Sequence, residues 1–112
     1  MGVDIITTHI VGVSFISICD EMRDKSLKEQ EAARVKLQDA ARALKLNYAD
    51  SCQDIDAASD DFIIGVKFDD RPTDKQFEEA RQKVKELLPE LEKLVGRKAD
   101  SEPDYWDIVT VC

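Results

Sequence analysis

The chain has 112 residues, too few for two hydrophobic cores, and 43% of them are hydrophobic, too many for a disordered segment. Its 16 basic and 24 acidic residues leave a net charge of -8, which argues against nucleic acid or anionic membrane as a ligand, because both require Lys and Arg to neutralise phosphate. A single domain over residues 1–112 is expected, and its natural partner is another protein with a basic surface.

From Val3 to Cys19 the residues are mostly Ile, Val, Thr and Phe, which favour strands. One straight strand of that length would reach about 50 Å at roughly 3.3 Å per residue, more than so small a domain can cover. The run is therefore expected to bend or break, at Gly12 as a bulge or near Thr7, Thr8 and His9 as a hairpin. Both of its alternating faces are apolar, with Ile5, Val11, Val13 and Phe15 on one and Ile6, Ile10, Ile16 and Ile18 on the other. Such a strand needs two coverings, which makes a homo-oligomer an alternative to be tested. The run has no basic leader, contains Asp4 and His9, and falls short of the roughly 20 residues of a helical span, so it reads as part of a soluble fold.

Ser26 followed by Glu29 has the spacing of a capping box and opens a helix whose apolar stripe is Ala33, Leu37, Ala40, Ala41 and Leu44. It is expected to end near Leu46. The next stretch, Asn47 to Asp61, carries Asp50, Asp54, Asp56, Asp60 and Asp61 and no Lys or Arg, and reads as a polar connection. Its alternative is a short strand around Lys45 to Ala49 that pairs with the strand that follows.

That following strand has the clearest pattern in the chain. Phe62, Ile64, Val66 and Phe68 alternate with Asp61, Gly65, Lys67 and Asp69, with Ile63 the one apolar exception on the second face. Pro72 ends it, and Thr73 with Gln76 forms a second capping box. Phe77, Ala80, Val84, Leu87, Leu88, Leu91, Leu94 and Val95 then mark a second helix ending at Gly96, with a kink or restart expected at Leu88 because Pro89 lacks an amide. A polar link from Arg97 to Asp104 leads to a terminal strand from Tyr105 to Cys112.

The order β-α-β-α-β implies an α+β, two-layer sandwich with two helices packed on one face of a small sheet. A ferredoxin-like variant needs one further strand between the helices.

Six basic against three acidic residues from Lys25 to Leu46, and seven against six from Thr73 to Lys98, put the helices at a net +4 and leave -12 for the rest of the chain. Acidic loops of this kind serve solubility, or form a negative surface for a basic partner. On the second reading the partner-binding residues are Asp50, Asp54, Asp56, Asp60 and Asp61, joined by Trp106 as an aromatic anchor; on the bland one Trp106 is core packing. The function expected is that of a small acidic protein-binding module, in the manner of inhibitors, immunity proteins and phage countermeasures.

No local pattern points to an enzyme. Asp54 and Asp56 open like a calcium loop, but its sixth position is Ser59 and its twelfth Gly65, so no metal is expected. There is no phosphate loop or nucleophile elbow, and no cofactor is implied. Cys19, Cys52 and Cys112 match neither a disulfide framework nor a zinc pattern and read as reduced thiols of a cytoplasmic protein. The competing class is a ligand-binding domain or enzyme whose site is dispersed in the sequence, for which His9, Asp69 and Tyr105 are the candidates.

Overall fold

The computed structural model describes residues 5–50 and 62–111, with side chains over 7–49 and 62–108. Its elements are β1 (Ile5–Ser14), α1 (Ile16–Met22), α2 (Leu27–Ala43), β2 (Asn47–Asp50), β3 (Phe62–Phe68), α3 (Asp74–Val95) and β4 (Asp104–Val111). The four strands form one antiparallel sheet in the order β2-β3-β1-β4, and three helices pack against it.

The N-terminal run breaks at Phe15, not at Gly12 and not in a hairpin at His9. Pairing is continuous through Gly12, which sits opposite Gly65 on β3 and Asp104 on β4. A Cβ on Gly12 would lie 2.1 Å from the Ile64 carbonyl oxygen, so glycine here permits close approach of two strands. Buried Phe15 is still bonded to β3, its amide meeting the Phe62 carbonyl at 2.8 Å, but its backbone leaves the extended region there (φ -122°, ψ 37°) and caps the helix that follows. The Ile16 amide meets the Ser14 hydroxyl at 3.3 Å and the Ser17 amide meets Asp100 at 2.8 Å, which leaves Ile16 to Met22 as a short third helix where strand was expected.

The segment expected as a polar connection begins instead as β2. Asn47 pairs with Gly65, Tyr48 with Ile64 and Ala49 with Ile63, so the alternative hairpin is the one formed. Cross-strand packing explains it: Ala49 is buried, and Tyr48 stacks on Phe62 with ring centroids 5.6 Å apart.

Both helix starts follow the sequence signals. The Ser26 hydroxyl accepts from the Glu29 amide at 3.2 Å, and Thr73 and Gln76 complete a reciprocal capping box at 3.2 and 2.9 Å. Gly96 ends α3 in the left-handed conformation, φ 84°. Pro89 does not restart the helix, which runs unbroken from Asp74 to Val95. Pro89 and Lys85 are both exposed, so water can take the carbonyl that loses its partner, while Val84 and Leu91 bury the apolar stripe on either side.

Leu37, Ala40 and Ala41 of α2 and Val84, Leu91 and Val95 of α3 cover Val13, Phe15, Phe62 and Ile64, with Ile18 and Cys19 of α1 packed at the margin. On the opposite sheet face Ile10, Ala49, Ile63 and Ile108 form a second buried cluster, flanked by Trp106, to which no described helix contributes.

Candidate functional site

β4 lies at one side of the sheet and pairs with β1 alone among the described strands. Its start is fixed by the link before it. Arg97 donates to Glu21 of α1 at 2.6 Å and to Ser17 at 3.2 Å, and the bond to Glu21 is the main reason its guanidinium pKa is raised. The Asp100 amide then bonds the Ser14 carbonyl at 2.8 Å, and the Ser101 hydroxyl accepts from the Ser14 amide at 3.0 Å.

These bonds also fix the direction of the backbone. Ser14 turns its amide and carbonyl toward β4, whereas the Phe15 amide turns toward β3, so by alternation the even residues of β1 bond to β4. Their partners Asp104, Trp106 and Ile108 face inward, and Tyr105, Asp107, Val109 and Val111 turn their backbone groups outward. The Tyr105 amide bears this out, since it bonds not to β1 but to the Asp104 carboxylate at 2.8 Å.

Trp106 is half-buried against the Ile10 and Ile108 cluster, and its indole N–H donates to the Gly12 carbonyl at 3.0 Å. Part of the ring thus packs as core and part of it is exposed, with exposed Asp104 on the same sheet face. A groove of about 530 Å³ at the start of β4 is lined by Trp106 together with Phe77, Arg81, Glu102, Pro103 and Asp104. From Asp100 to Cys112 there are four carboxylates and no Lys or Arg.

On the helix-side face, register places His9 opposite Asp107. His9 Nδ1 lies 2.6 Å from the Tyr105 hydroxyl and 3.1 Å from Asp107 Oδ1, and the two rings stack 7° from parallel. The Tyr105 hydroxyl donates to the same carboxylate oxygen. With that proton engaged, Nδ1 meets two acceptors, so the network assigns it the hydrogen and leaves Nε2 as the acceptor nitrogen of the neutral ring. Burial, followed by the Asp107 hydrogen bond and charge, raises the Tyr105 pKa above 10.0; Arg71, whose guanidinium sits 5.6 Å from the ring centroid, opposes this. Asp107 is 55% exposed, so the cluster opens to solvent.

Of the residues expected for a dispersed site, His9 and Tyr105 are in contact with Asp107 as the carboxylate beside them, and Asp69 is exposed at the end of β3 without a described bond to His9. The two-residue spacing of Tyr105 and Asp107 shows that they share a strand face. Their pairing with His9 depends on register, which sequence does not reveal. Of the acidic partner-binding residues, Asp50 closes β2 but its side chain, with Asp54, Asp56, Asp60 and Asp61, lies outside the described residues, so the patch expected there has no described geometry. Cys19 is a free thiol, partly buried; the Cys52 and Cys112 side chains are outside the described set.

Among the described residues no three His, Cys, Asp or Glu side chains gather as metal ligands, and no helix is long and apolar enough to cross a membrane. Compared with family models, with curated proteins and with solved structures, the chain matches none.

Proposed function

We propose that the protein is a small binding module that receives a basic protein partner on the outer side of β4, in the manner of an inhibitor or immunity protein. The observation that carries this reading is the state of Trp106. Its indole is bonded to the Gly12 carbonyl and packed on Ile10 and Ile108, with exposed Asp104 two residues before it on the same sheet face and exposed Asp107 on the other face. An aromatic ring held before binding loses little entropy on contact, and the carboxylates along this strand favour a basic partner and speed its approach. The fold is read alongside it as a ferredoxin-like variant, because β2 supplies the strand that arrangement requires between its helices and α1 is an addition.

The test is affinity capture from a matched lysate, followed by titration of the captured protein. Trp106→Ala is expected to weaken binding at least about tenfold, as central aromatic anchors do. Asp104→Asn with Asp107→Asn is expected to slow association and flatten its salt dependence. A partner held equally by both variants and at every salt concentration defeats the reading.

A second reading, a ligand-binding or catalytic site, draws on the pairing of His9 with Asp107. A carboxylate on Nδ1 orients the ring and leaves Nε2 to take a proton from a ligand. Nuclear magnetic resonance against a panel of small metabolites separates the two, because perturbation centred on the His9 and Tyr105 rings, with Trp106 unmoved, would favour this one.

A further inference from the structure

We propose that the partner binds as an extended, Lys- or Arg-bearing segment added to the sheet as a fifth strand along β4. This rests on the binding reading above and specifies its geometry.

The outward backbone groups of β4 are the first argument. Asp107, Val109 and Val111 turn amide and carbonyl away from β1, three residues spaced two apart, and no described strand lies beyond them. A strand side of that length is a template for main-chain pairing with a second chain. The fourth outward residue, Tyr105, is closed off, because the Asp104 carboxylate occupies its amide at 2.8 Å. Pairing is therefore expected to begin at Asp107 and run toward Val111, with Asp104 setting its limit. The groove lined by Phe77, Pro103 and Trp106 lies just past that limit and offers apolar contact to residues flanking the paired stretch.

Charge decides what the occupant is. A residue directly opposite Asp107 on an added strand sits within cross-strand reach of a carboxylate that is 55% exposed, and like charges there repel. Asp100, Glu102 and Asp104 extend the same sign along the approach, with no Lys or Arg from Asp100 to Cys112. A second copy of this chain would bring a net charge of -8 against another -8. A basic segment is the complementary occupant, and self-pairing is the disfavoured one.

The probe is a synthetic seven-residue peptide of alternating Lys and Val, beside a Glu and Val counterpart and a Lys and Val peptide N-methylated at alternate residues. Amide hydrogen exchange on the intact chain reads the outcome. Expected is saturable binding of the Lys peptide with at least tenfold slower exchange at the Asp107, Val109 and Val111 amides. The Glu peptide should bind at least tenfold more weakly, and the methylated peptide should lose tenfold or more in affinity. Val109→Pro removes an outward amide and leaves the bonds to β1 in place, so it should abolish the protection with the melting transition retained. If that variant fails to fold, the methylated peptide still discriminates.

Equal binding of the methylated peptide without amide protection, lost in Trp106→Ala, overturns strand addition and leaves the binding module standing. No binding of the Lys peptide, or equal binding of the Glu peptide, overturns the proposal. Protection of the same amides that grows with protein concentration alone assigns the strand to a second copy of the chain instead.

Discussion

The two faces of the sheet are both apolar, and they are covered by different means. On one, Val13, Phe62 and Ile64 are fully buried against Leu37 of α2 and Val84 and Leu91 of α3. On the other, Ile10 and Ile63 are equally buried, yet among the described residues their cluster with Ala49 and Ile108 consists of strand residues. Ile63, the exception in an otherwise alternating strand, is thus not a stray apolar residue at a wet face. It marks the second covered face, and alternation in β3 separates two kinds of interior rather than core from water.

Neighbouring residues on β3 make this comparison testable. Ile64→Ala opens a cavity among helix and strand side chains and is expected to cost about 4–5 kcal/mol, the upper part of the range for such truncations. Ile63→Ala removes the same atoms from a face on which no described helix packs, where closure is expected to be easier, and about 2–3 kcal/mol is expected. Urea unfolding of both variants measures the gap. Equal losses would mean that the second face is packed as firmly as the first.

A somewhat smaller effect probes where the faces meet. Gly12 and Gly65 sit opposite one another, and a Cβ on either would lie within 2.1 Å of a backbone oxygen of the other strand. Backbone atoms cannot swing aside, so Gly12→Ala forces β1 and β3 apart at about 3 kcal/mol, the top of the usual range for overpacking. Gly96→Ala is the control. Its Cβ would meet only the Lys36 amine at 3.5 Å, and the positive φ alone should cost about 1 kcal/mol. A Gly12→Ala variant no less stable than Gly96→Ala would show that the strand approach is not under tension.

The elements that could be read in advance are those whose signals are local. Thr73 with Gln76, Ser26 with Glu29, Gly96 and the alternation from Phe62 to Phe68 each carry their cause within a few residues. Ile16 to Met22 could not be read so, since its composition suits a strand and its helical state depends on Asp100 and Ser14, the first of them more than eighty residues distant. The same holds for the site. Trp106 and Tyr105 stand out as adjacent aromatics, but the outward direction of Asp107 and its meeting with His9 follow from register, a property of pairs of strands. Pro89 works in the opposite way: its penalty is local, yet it does not end the helix, whose apolar stripe is buried at Val84 and Leu91 on either side.

The smallest expected effect concerns the margin of the helix-side face, where His9, Tyr105 and Asp107 meet solvent and α3, which packs on β1 and β3, no longer covers the sheet. Burial and the Asp107 carboxylate both disfavour the phenolate, so Tyr105 should titrate above 10.0 in the folded protein. The sign for stability follows from linkage. Between the unfolded value and the raised folded one the native state holds the extra proton, so this contribution is complete below pH 10 and fades as pH rises through the folded pKa. Phenolate absorbance in a Tyr48→Phe background isolates the group, because Tyr48 is the chain's one other tyrosine. Asp107→Asn removes the hydrogen-bonded charge and should lower the midpoint, leaving only the part due to burial. An unchanged midpoint in that variant would mean that Asp107 does not hold Tyr105 in solution, and that the outer strand's carboxylate is free to meet a partner's cation unaided.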